Sequence, residues 1–236
     1  MSYFERYLKG EDIWPELMKL GAAVRSPELR VDVDRITEEV VDRMVLNVQD
    51  IVIRLRKLGY RFGEYDRNEK IPYHRGPLRL AEAKDVKLLE TVEGTYGTFP
   101  LLLHRWYSKI ASVDLMGYHP EWTVEYPDPL VISDLDFESI AEEYEGWESE
   151  EDGTKFRLAV APDFYHKANV SGGSPYAFEL PNDCVDGRLV EEPDYTLFIG
   201  YLRRCIKWGG FPGIVKQPNG IPKAHLEFLT HGLRPI

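Results

Sequence analysis

The chain has 236 residues, 43% of them hydrophobic and 12% aromatic, and a formal net charge of -11. That balance suits an ordered chain with a sizeable core, as one large or two small domains, and excludes a disordered polypeptide. The acid excess argues against a nucleic-acid partner, because phosphate neutralisation needs clustered Lys and Arg. No apolar run approaches the roughly 20 residues of a membrane-spanning helix, so no membrane partner is expected.

The opening residues MSYFERYLKGEDIW are charged from residue 5 on and hold no signal-peptide core, which points to the cytoplasm. Cys184 and Cys205 are the only two cysteines, and they lack CxxC spacing. Two reduced thiols fit that compartment, and no zinc site is expected on them.

In chain order, a short helix is expected around Glu11 to Ala22. A long one follows from Asp34 to Leu58, with Ile36, Val40, Met44, Val48, Ile51, Leu55 and Leu58 in steps of three and four along one face. Asp34 is the candidate N-cap and Gly59 the stop. Residues 61–80, broken by Pro72 and Pro77, form a connector. Asp85 to Glu93 is amphipathic, and Thr98 with Pro100 marks the start of the next helix. SVDLMG and PDPLVIS are short strands. Phe137 to Glu148 is an acidic helix. KFRLAVAP and SPYAFELP form a strand pair across a long connection. A helix at about Asp194 to Trp208 ends at Gly209 and Gly210, and the tail from Ile214 lies over the surface.

Charge and polarity concentrate in two places. Between Ser133 and Thr154 there are ten acids and no Lys or Arg, so the rest of the chain is close to neutral. Glu142, Glu143 and Glu145 lie at its centre and offer a face to a basic protein partner, although charge runs are commonly only solvated helix faces. The second place is the connection APDFYHKANVSGGSPYAFELPND. Asp163, His166 and Ser171 are the residue types of a base, a proton shuttle and a nucleophile. No GxSxG elbow surrounds Ser171, and no HExxH motif is present. Tyr165, His166, Lys167, Asn169 and Tyr176 equally suit a partner-binding loop. Asp163 and Asn169 also favour simple turns, with Gly172 and Gly173 supplying positive φ. The three readings stand side by side. The remaining histidines have no regular ligand spacing, so neither a metal nor another cofactor is expected.

The stretch LLETVEGTYGTFPLLLHRWYSKIASVDLMG resembles the entry motif of the SUKH superfamily, which includes yeast cell-wall assembly regulators and many bacterial immunity proteins. Leu88, Leu89, Glu93, Gly97, Phe99, Pro100 and Trp106 carry the likeness, and YTLFIGYLRRCIKWGGFPG is similar to the family's last helix. The chain departs from the family in lacking an Asn-Gly after the second helix. The resemblance implies an α+β domain over residues 81–213, with a mixed sheet packed by helices, preceded by an N-terminal helical segment, 1–60, and followed by a tail, 214–236. It also implies a protein-binding role, with immunity against a toxin domain as the example, and no catalytic residues. A small hydrolase-type enzyme using the Asp163–Tyr176 loop is the rival reading.

Overall fold

The computed structural model of the chain describes residues 1–66, 69–72, 74–149 and 153–236. Helices α1 (Tyr3–Leu8) and α2 (Trp14–Leu20) lead into α3 (Pro27–Leu58), the longest element. Helix α3 starts seven residues before the expected Asp34. Ser26 is extended at the N-cap, and Pro27 occupies the first turn, where its fixed φ fits and its missing N–H costs nothing. Asp34 pairs instead with Arg30 at 2.8 Å, one turn back. The expected stripe is buried from Ile36 to Leu55, and Gly59 ends the helix at φ 85°. That left-handed conformation carries no Cβ penalty at glycine.

The remaining elements are β1 (Arg61–Phe62), β2 (Leu78–Leu80), α4 (Ala83–Tyr96), α5 (Leu101–Lys109), β3 (Ile110–Asp114), β4 (Gly117–Tyr118), β5 (Val131–Ile132), α6 (Phe137–Ser149), β6 (Phe156–Ala161), β7 (Tyr176–Leu180), α7 (Phe198–Lys207) and α8 (Lys223–Thr230). The protein is therefore α+β with an N-terminal helical segment, as expected. Its strands do not form the mixed sheet that was expected. They make three small sheets, β1-β4, β2-β3-β5 and β6-β7, and every named pair is antiparallel. For β6 and β7 the reason is local: they are joined by a loop with no α-helix, and a parallel pair is usually connected through one.

The turn between α4 and α5 is built on Glu93. Its carboxylate accepts from the Phe99 N–H at 2.9 Å and from His104 Nδ1 at 2.7 Å. Thr98 is not the N-cap of α5. Its hydroxyl donates to Asp183, and the first free N–H groups of α5, on Leu101 and Leu102, donate to the carbonyls of Cys184 and Val185. The distant loop after β7 thus caps this helix, a long-range contact that local sequence does not show. Helix α7 begins at Phe198 rather than Asp194, because the buried Asp186 carboxylate accepts the Ile199 N–H at 3.0 Å and fixes the start there.

One apolar cluster gathers Met44 and Val48 of α3, Trp106 of α5, Phe178 of β7 and Phe198 and Leu202 of α7. The tail was expected on the surface, yet α8 packs along α3. Buried Asn47 donates to the Arg234 carbonyl and accepts the Arg234 N–H, both at 2.8 Å. Arg54 and Arg43 donate to the carbonyls of Leu229 and Pro235.

Candidate functional site

The loop that joins β6 to β7 is organised by one carboxylate. Asp163 is 3% exposed. One of its oxygens accepts the N–H groups of Tyr165 at 2.7 Å and His166 at 3.3 Å, and the other contacts His166 Nδ1. This closes a short 3-10 turn, His166–Ala168, and Asn169 leaves it in the left-handed conformation at φ 60°. Asn tolerates that conformation better than other residues with a Cβ. Gly173, at φ 77°, lies flat against the same carboxylate, and a Cβ there would come within 2.6 Å of Asp163 Cγ. The glycine is required by close approach as well as by its backbone angle.

Asp163, His166 and Ser171 all line one open cleft of about 660 Å³, together with Tyr65, Met116 and Asn169. The structure brings these three together, but only Asp163 and His166 bond to each other. Among the described residues Ser171 has no hydrogen bond to His166. With Nδ1 on the carboxylate, His166 keeps Nε2 for another partner. That arrangement orients the imidazole, which suits either a proton carrier or a hydrogen-bonding contact.

Two residues expected on a partner-facing surface lie in the core. Tyr176 has 0% exposure and Lys167 4%. The Lys167 ammonium donates to Asp128 at 2.7 Å and lies 4.5 Å from the centre of the Tyr176 ring. A buried ammonium needs a paired anion and polarisable neighbours, and Asp128, Tyr176 and Tyr201 supply them. Asp128 was missed in the sequence. It lies between Pro127 and Pro129 at the start of PDPLVIS, which reads as a short strand, and its φ of 46° is visible only in three dimensions. Tyr165, His166, Asn169 and Ser171 remain exposed.

The second candidate is α6. Ile140 is its one buried residue, and Tyr144 and Trp147 lean on Phe156 with ring centres 5.1 and 5.9 Å away. Asp136 accepts the N–H groups of Glu138 and Ser139 and so caps the helix. Asp134 is tied to Arg75 and Arg79. Glu138, Glu142, Glu143, Glu145 and Glu148 are exposed, and among the described residues no Lys or Arg pairs with them. Glu143 is exposed as a residue, but its carboxyl leans over β6. Desolvation there pushes its pKa up, against the opposing effect of the Ala159 N–H. Glu150, Glu151 and Asp152 lie outside the described residues.

Burial pushes the Cys205 thiol up, so it is an inert core group. Among the described residues no helix is long and apolar enough to cross a membrane. Compared with protein-family models, curated proteins and solved structures, the chain matches none.

Proposed function

We propose that the chain is a cytoplasmic protein-binding module of the SUKH type, acting as an immunity protein that neutralises a basic toxin domain by direct binding. The observation that carries this reading is the row of exposed carboxylates on α6, which no Lys or Arg among the described residues pairs with, inside a segment from Ser133 to Thr154 that holds most of the chain's acid excess. Like charges along one helix face weaken the helix that carries them. A basic partner would relieve that repulsion, and the same field would speed encounter and weaken as salt rises. The Glu93–Phe99–His104 turn lies within the motif that carries the family resemblance.

The test is capture from the native host at low and moderate salt, with the wild-type chain beside E142K/E143K/E145K. The expected result is one stoichiometric basic partner whose on-rate falls at least tenfold in the triple variant at low salt. An on-rate unchanged by charge reversal removes α6 from the account.

A second reading, a small hydrolase-type enzyme, has the Asp163–His166 contact beside an open cleft in its favour. It requires that His166→Ala abolish turnover of a chromogenic ester while the fold is retained. Equal turnover in both proteins ends that reading.

A further inference from the structure

His119, Glu121 and His225 are far apart in sequence, and their spacing gives no ligand pattern. The fold brings one ligand atom from each within 4.8 Å of the others. His119 is buried, His225 half-buried and Glu121 exposed. The two rings are 5.2 Å apart, centre to centre.

The hydrogen bonds fix which nitrogens carry lone pairs. His119 Nε2 is 2.8 Å from the Leu58 carbonyl at the end of α3. A carbonyl only accepts, so Nε2 carries the proton and Nδ1 keeps the lone pair. His119 Nδ1 faces no donor stronger than the Glu121 N–H, at 3.2 Å. His225 Nδ1 accepts from the Trp122 indole N–H, also at 3.2 Å, and indole only donates. Both histidines therefore hold Nδ1 unprotonated, and among the described residues each Nδ1 is engaged only by a long hydrogen bond. Ligating histidines characteristically donate their other N–H to a backbone carbonyl, which sets tautomer and ring angle. The His119–Leu58 bond has that form. Trp122 stacks on His119 with centroids 5.0 Å apart and walls the group on one side.

We propose that His119 Nδ1, His225 Nδ1 and the Glu121 carboxylate form a zinc site. Two imidazoles and one carboxylate suit a borderline divalent ion, and three protein ligands leave a fourth position for water or an outside ligand. Zinc–nitrogen bonds of about 2.0–2.1 Å place neighbouring donors roughly 3.4 Å apart, so the cluster contracts on binding. Glu121, exposed, and His225, near the start of α8, have the freedom to move; His119 is held by Leu58. Binding releases the Trp122–His225 bond and ties the C-terminal helix to the turn after β4 and to the end of α3. The site is separate from α6 and stands whether or not that helix binds a toxin.

The test uses the full chain, stripped with EDTA and titrated with zinc chloride against a chromophoric chelator. Wild type is expected to take one zinc per chain and to melt at a higher temperature with zinc than without. E121Q and His225→Gln are each expected to bind at least about tenfold more weakly, the least that loss of a ligand should cost, and to show no zinc-dependent rise in melting temperature. His231→Gln, a histidine just beyond the same helix, should bind as wild type does. Glu121 is exposed, so E121Q keeps the test valid if the His225 variant folds poorly. No binding near one equivalent, binding that survives both ligand variants, or an equal loss in the His231 variant overturns the proposal.

Discussion

Asp186 is a carboxyl group enclosed by backbone donors and little else. It is fully buried, it accepts the N–H groups of Gly187 at 2.8 Å and Ile199 at 3.0 Å, and burial pushes its pKa from 3.8 to about 7. Folding therefore holds a proton on this acid over a range where the unfolded chain has released it. Its contribution to stability is full below about pH 4 and declines as pH rises toward 7, by up to about 4 kcal/mol. D186N keeps an acceptor oxygen and removes the titration. Urea midpoints at pH 4.5 and 7.5 should drop more with pH in wild type than in D186N; equal slopes would contradict the assignment. Lys167 makes the complementary case. K167M strands the Asp128 carboxylate in the core and should cost about 3–5 kcal/mol, whereas K167M/D128N should recover much of it. Chemical denaturation of the two variants decides this, and an equal loss in both would mean that packing rather than charge is at stake. At Gly173 an added methyl group meets the Asp163 carboxylate, so Gly173→Ala should break the Asp163–His166 contact and move the NMR signals of the His166 ring, and unchanged signals would show that the contact survives.

Among the elements, the clearest in the sequence were those whose period and stops are local. The α3 stripe, the Gly59 stop, the helix at Phe137 and the β6-β7 pair needed only the neighbouring residues to declare themselves. Elements whose ends depend on distant groups were read with shifted bounds. Helix α5 borrows its cap from Cys184 and Val185, and α7 waits for Asp186. The same holds for the site. Asp163, His166 and Ser171 lie close in sequence and line one cleft. The inward turn of Lys167 and Tyr176 could not be read, because their partner Asp128 lies 39 residues before Lys167. Helix α8 was missed because its eight residues are too few for an apolar stripe to stand out, and only Leu229 among them is buried. Its attachment can be probed at Asn47. Asn47→Ala leaves the Arg234 N–H and carbonyl without their partner, which should cost about 1–3 kcal/mol. Limited proteolysis should then cut the tail before the rest of the chain, and cleavage at the wild-type rate would show that α8 is held by other contacts.

For the whole molecule, the uneven charge has a thermodynamic signature that does not require a partner. The α6 carboxylates repel one another at helical spacing, by about 0.2–0.5 kcal/mol per pair. Sodium chloride between 0.02 and 0.2 M should therefore raise the melting temperature of wild type more than that of E142Q/E145Q, and the double variant should be the more stable at low salt. A helix that is only solvated surface, its charges already screened by water, would show neither effect. The amide clamp between Asn47 and Arg234 bears on how the chain is made. The two residues are separated by 187 positions. At roughly 5–20 residues per second, synthesis leaves the long third helix without its last neighbour for about 10–40 s. For that interval Asn47 and the apolar residues beside it face water or a chaperone, and this part of the fold closes only once Arg234 has left the ribosome.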